Sequence, residues 1–251
     1  MRPVTLLCSA LVVLAPTFAS AQMPGPDSVT EVLRQKARPG TVQEYEASRK
    51  KHMDWHKAQN DLWAWEVFEV MTGPDTGSYV IASGEHQWKE MEAWVARMGD
   101  ADAADSRASM GQYIASTQRE YWTQLNAISR LPTSDARSPL ITLTTYQVKP
   151  GSDAALRTAI TKVNAALDAG DFPLRTIWFV LTNGGSTPTY AVVGPRAGLG
   201  EMAPSPSLLE VLEKQLGKPA ADALVKSFFD NVVSVTTELL RLRTDLSYLP
   251  N

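Results

Sequence analysis

The feature that most restricts how this 251-residue chain can fold is that it repeats itself. A shift of 111 residues lays Arg38-Pro39-Gly40 on Lys149-Pro150-Gly151, Gly73 on Gly184 and Tyr79 on Tyr190 without a gap between them. Toward the far end the shift becomes 118, bringing Glu120 onto Glu238 and Leu131-Pro132 onto Leu249-Pro250. The difference places a seven-residue insertion in the helical part of the second copy. A repeat of this length restricts the architecture to one that two copies of a single unit can build. We read the first unit as residues 22–132 and the second as 140–251. The stretch 133–139, with its Ser, Asp and Pro residues, has the composition of a linker.

Each unit opens with a β-type run, 29–36 or 140–148, that stops at a basic residue followed by Pro-Gly, a turn signal. A helix is expected next, with Thr41 and Ser152 placed to cap it and Glu44 completing a capping box in the first unit. Two runs rich in β-branched and aromatic residues follow in each copy, 63–71 with 79–83 and 175–181 with 189–193. Gly-containing turns join each pair as a hairpin. Helices are expected at 87–98 and 104–125, and at 207–216, where Ser207 and Glu210 form a second capping box, and 220–240. Short closing strands near 127–131 and 245–249 complete a β-α-β-β-α-β order in each unit.

This order, doubled, resembles the dimeric α/β-barrel superfamily, whose ferredoxin-like units pair through their sheets. The resemblance implies an α+β fold in which two tandem ferredoxin-like units of one chain pair their antiparallel sheets into a pseudo-dimeric barrel. Its members include cofactor-independent monooxygenases, haem-degrading enzymes, chlorite dismutases, dye-decolourising peroxidases and lactone isomerases. The resemblance therefore implies a scaffold and names no reaction.

Residues 1–21 read as a cleavable export signal: Arg2 supplies a positive start, 4–16 an apolar stretch, and Ala19-Ser20-Ala21 a small-residue cleavage site. Export to a periplasm or the exterior is expected, with no membrane association after cleavage, since no later segment is long and apolar enough to span a bilayer. Of the 24 Lys+Arg and 27 Asp+Glu residues, only Arg2 lies in the signal, so the mature chain is mildly acidic. A nucleic-acid partner is not expected from that balance. The single cysteine, Cys8, leaves with the signal, so stability must come from apolar burial without disulfides.

The two copies differ most along the first helix. Val42, Tyr45, Arg49, His52 and His56 are spaced 3, 4, 3 and 4 apart, which puts them on one stripe. The matching stripe of the second unit, Asp153, Leu156, Ile160, Val163 and Leu167, is apolar from its second position on, as expected of a face packed on a sheet. Polar groups buried there without partners would cost about 1–3 kcal/mol each. Tyr45, Arg49, His52 and His56 should therefore line a wet or ligand-filled pocket between helix and sheet, walled by Trp55, Trp63 and Trp65. The alternative is a stripe turned to solvent or paired with itself inside an ordinary core. Trp88 and Trp94 are expected to be ordinary helix packing.

Two histidines at i, i+4 can both face a metal. However, no His-Glu-x-x-His motif is present and His86 is the only other histidine, so no metal is expected. A haem role of the chlorite-dismutase kind would need an axial ligand in the second unit, which has no histidine, so no cofactor is expected either. The enzyme reading that needs least is cofactor-independent monooxygenase-type chemistry on a small aromatic or acidic ligand. In it His52 is the general base, Arg49 steadies an enolate or phenolate, and Tyr45, His56 and the tryptophans hold the ring. The alternative is a non-catalytic ligand-binding or protein-interaction module. Serine-hydrolase, phosphate-loop and dinucleotide motifs are absent.

Overall fold

A computed structural model describes residues 27–134 and 136–250; the expected export signal lies outside the described residues. Eight strands close into one antiparallel barrel: β1 (Val29–Ala37), β2 (Glu66–Val70), β3 (Tyr79–His86), β4 (Ile114–Gln124), β5 (Leu140–Val148), β6 (Ile177–Asn183), β7 (Thr189–Arg196) and β8 (Val232–Leu242). Their order around the barrel is β1-β3-β2-β8-β5-β7-β6-β4. Two seams join the strands of residues 29–124 to those of 140–242: β2 pairs β8, with Phe68 opposite Leu242, and β4 pairs β6, with Trp122 opposite Leu181. Closure leaves no strand edge exposed.

Alternation along the strands sorts the side chains into three layers. Val32, Phe68, Val80, Trp122, Leu143, Ala191 and Leu240 point inward around a cavity of about 700 Å³ that all eight strands line. On the outer face, Val67, Tyr79 and Ile81 meet Tyr45 and Met53 of α1 (Val42–Ala58), and Trp94 of α2 (Trp88–Trp94). A π-helical turn, Val95–Gly99, leads from α2 into α3 (Asp100–Met110). Over the other half, Leu156 and Ile160 of α4 (Asp153–Ala169) pack on Val148, Trp178 and Tyr190, while α5 (Leu208–Leu216) and α6 (Lys218–Phe229) cover the far end of α4. No helix among the described residues is long and apolar enough to cross a membrane.

The structure corrects the expected elements where helices abut strands. The helices expected at 104–125 and 220–240 are each a helix followed by a strand, β4 or β8. Both strands have neighbours on either side, and Ile, Val, Thr, Tyr and Trp make up much of each, so pairing overrides the Ala- and Leu-rich helical reading of the windows. The closing strands expected near 127–131 and 245–249 are single 3-10 turns, Asn126–Ile128 and Thr244–Leu246. After each comes one antiparallel bridge, Arg130 to Thr176 and Tyr248 to Trp65. The capping box expected at Thr41 does not form, because the Thr41 hydroxyl donates backward to the Arg38 carbonyl (3.0 Å). Ser152 makes no side-chain cap, whereas the box of Ser207 and Glu210 is complete (3.3 and 2.7 Å).

Candidate functional site

The first helix buries the stripe that its spacing singled out. Tyr45, Arg49, His52 and His56 are each at most 3% exposed, whereas Lys50, Lys51 and Lys57 are exposed on the opposite face. Val42, at the head of the stripe, is exposed. Between α1, α3 and the outer faces of β1 and β4 lies a cavity of about 380 Å³, lined by Arg49, His52, His56 and Asp102 with Trp65 and Trp94. In the second half the corresponding helix face is filled by Leu156, Ile160 and Leu167, all buried.

Arg49 is held at one side. Its guanidinium donates to Gln35 of β1 and to the Tyr45 hydroxyl (3.3 Å), and Tyr45 itself donates to Gln35 (2.9 Å). Its Nε is buried without a partner, and among the described residues no carboxylate lies within ion-pair distance of it. Glu31, also buried on this lining, pairs instead with Arg119 (3.2 Å). Burial pushes the Glu31 carboxyl up despite the Arg119 charge, and Asp102 adds to the rise.

The two histidines share one carboxylate. Nε2 of His52 and Nε2 of His56 each lie 3.3 Å from Oδ1 of Asp102, which α3 brings over α1. Each ring is held from behind by another acid: His52 Nδ1 meets Asp105 Oδ2 at 2.7 Å, and His56 Nδ1 meets Asp61 Oδ2 at 3.0 Å. Asp102 and Asp105 stand three apart on α3 and so share a face. Burial disfavours the His56 cation, but its bonds to Asp102 and Asp61 outweigh that and hold it above its usual value. Burial likewise opposes the Asp102 carboxylate, and the two histidines more than compensate, holding it well below the usual carboxylate range.

Asp61 organises the wall behind the histidines. Asn60 takes a positive φ of 51° just past α1, and the Asp61 amide donates back to the His56 carbonyl (3.1 Å), which turns the acid under the helix end. Its fully buried carboxylate accepts from the Trp65 and Trp94 indoles (3.0 Å each) and from the Trp63 amide (3.2 Å). Burial would raise its pKa, yet these bonds and His56 keep it low. Trp63 stacks on His86 (centroids 3.6 Å apart) and on Trp94 (5.0 Å), while Trp55 stacks on His52 (5.8 Å). Trp63 and Trp65 precede β2 instead of lying on it. Trp94, read as ordinary packing, is part of this node; Trp88 is half exposed and lies against Tyr121.

Of the seven residues singled out in the sequence, Arg49, His52, His56 and Trp65 line the cavity, whereas Tyr45, Trp55 and Trp63 lie off the lining, Tyr45 bonded to Arg49, Trp55 stacked on His52 and Trp63 stacked on His86 and Trp94. The structure adds Asp61, Asp102, Asp105 and Gln35. The expectation of no metal rested on the missing His-Glu-x-x-His motif and on His86 as the only other histidine; the structure sets a carboxylate oxygen of Asp102, from another helix, beside both rings. His52 was cast as a general base, but both of its ring nitrogens face carboxylates. A signal for Asp61 did exist: the residue 111 further on is Phe172, which is buried among apolar side chains after the same kind of positive-φ turn at Asp171. The haem role implied by the resemblance does not fit. The half that should carry the axial ligand has no histidine and a filled helix face.

No family model and no curated protein matches the sequence. Solved structures do match. An anthrone oxidase-like protein superposes with a TM-score of 0.54 at 14% identity, covering 86% of this chain and 91% of its own. A proposed monooxygenase from Lactobacillus acidophilus gives 0.52 at 11%, covering 88% and 95%. Chlorite dismutase from Candidatus Nitrospira defluvii, in complex with imidazole, gives 0.53 at 6%, covering 87% and 92%. At such identities the likeness is one of architecture, so the chain has the fold of the dimeric α/β-barrel superfamily.

Proposed function

We propose that this protein binds a small anionic or enolisable aromatic compound in the cavity between α1, α3 and the sheet. The observation that carries this reading is Arg49, a buried guanidinium on the cavity lining with an unpartnered Nε and, among the described residues, no carboxylate within ion-pair distance. A buried cation without a carboxylate is costly unless a ligand supplies the negative charge. Trp65 and Trp94 on the same lining offer flat apolar walls for a ring.

Monooxygenase-type chemistry is the reaction to test first, since one structural neighbour is named a monooxygenase and another anthrone oxidase-like. In that reading Arg49 steadies the oxyanion of the deprotonated ring. His52 can accept a proton only if the ligand displaces Asp102 and Nε2 is left without hydrogen. Export with loss of residues 1–21 places the protein in the periplasm or outside the cell. The chain is also read as two tandem ferredoxin-like units, 22–132 and 140–251. In support, the single bridges Trp65 to Tyr248 and Arg130 to Thr176 exchange places under the shifts of 111 and 118.

Thermal-shift titration of the mature protein against phenols, quinols and small aromatic acids tests the pocket. A binder should raise the melting temperature, and Arg49→Ile, which copies the second half, should weaken it at least tenfold. If every compound that binds does so equally well to Arg49→Ile, the anion reading is wrong. Oxygen uptake with a confirmed binder distinguishes an oxygenase from a receptor.

A further inference from the structure

We propose that His52, His56 and Asp102 form a binding site for a divalent transition-metal ion of the zinc class. The three ligand atoms lie within 4.8 Å of one another, and both histidine Nε2 atoms stand 3.3 Å from the same Asp102 oxygen. Ligand atoms about 2.0–2.1 Å from a tetrahedral zinc are separated by roughly 3.3 Å, so both Nε2–Oδ1 spacings match edges of such a polyhedron, and the two imidazoles, within 4.8 Å of each other, close on the ion by side-chain adjustment. The inference goes beyond the ligand reading and does not depend on it.

What surrounds these three residues is the stronger argument. A metal-binding imidazole donates its other N–H to a carboxylate or carbonyl, which fixes tautomer and ring orientation. Both rings have that partner: Asp105 at 2.7 Å from His52 Nδ1 and Asp61 at 3.0 Å from His56 Nδ1. Both therefore present Nε2 to one point. Two nitrogens and one carboxylate suit zinc, or ferrous iron in a facial triad, and do not suit magnesium or calcium, which require oxygen. The cavity touches the three ligands, leaving further coordination positions to water or to a bound compound.

Equilibrium dialysis of metal-stripped mature protein against zinc, with ferrous iron under anaerobic conditions and magnesium as a hard-cation control, tests the site without any organic ligand. One zinc or iron per chain at micromolar affinity or better is expected, and cobalt should give the intense visible bands of a low-coordinate site. Asp102→Asn and His52→Gln should lower affinity more than Asp105→Asn, for which a loss of about 10–100-fold is expected. Asp54→Asn, on the exposed side of α1, should change nothing. Circular dichroism identifies any variant that fails to fold; if His52→Gln does, Asp102→Asn and Asp105→Asn, both at partly exposed positions of α3, decide the matter. No stoichiometric binding, preference for magnesium, or binding that survives both Asp102→Asn and Asp105→Asn overturns the proposal. Loss of ligand binding through Arg49→Ile with zinc binding intact would show that the two readings stand or fall separately.

Discussion

At the scale of single residues, the most consequential side chain in the first half is Asp61, which no motif announced. Its carboxylate is the common acceptor for two indoles, one amide and His56, so it fixes the aromatic wall and the ring orientation of a candidate ligand together. Removing a buried charge partner leaves several donors unsatisfied, and Asp61→Ala is expected to cost about 3–5 kcal/mol. Urea unfolding monitored by tryptophan fluorescence measures this; a loss below about 1 kcal/mol would mean that the donors find other acceptors. The histidine and arginine stripe was legible because helical periodicity depends on sequence alone. Asp102 and Asp105 were not, because acids on a polar helix read as solvated until a second helix is laid across them.

Between elements, α1 is tied to the end of β8 by a charge network that spans nearly the whole chain. Arg243 contacts Glu46 of α1 at 2.6 Å, Glu69 of β2 at 3.2 Å and Asp245 at 2.9 Å, and Lys50 reaches Asp245 at 3.2 Å. The Arg243 bond chiefly lowers the Glu46 carboxyl and brings Asp245 down to about 2. Because both folded values lie below unfolded values near about 4, this stabilisation is complete above that pH and is lost as pH falls toward about 2. Exposure and salt screening keep it modest. Melting temperatures from pH 6 to 3 should therefore decline less steeply in Arg243→Gln than in the parent protein; identical slopes would count against the network. The misreading of β4 and β8 belongs to this scale too. Val232, Val233, Val235, Thr236 and Thr237 favour a strand, yet the window that also held α6 averaged to helix.

For the molecule as a whole, closure is the decisive event. β2 and β4 find their outer partners only in β8 and β6, so the first half alone would expose two strand edges and the apolar residues of the lumen. Cutting the chain in the 133–139 stretch and co-expressing the pieces should give a stable heterodimer, with each piece aggregating when made alone. Two soluble monomers by light scattering would contradict that. The sequence by itself determined the residue matches under the shifts of 111 and 118, most of the strands and helices, and the polar stripe on a helix whose counterpart 111 residues on is apolar. These follow from local periodicity and from comparing one half with the other. Only the tertiary structure decided that Asp102 stands between two histidines, that Asp61 lies beneath them, and that Arg49 has no carboxylate partner among the described residues. The Asp102 contacts join residues about 50 positions apart through helix packing, and side-chain spacing along a chain carries no information about which helix will cross above it, while Asp61, only five residues past His56, is aimed by the turn that ends α1.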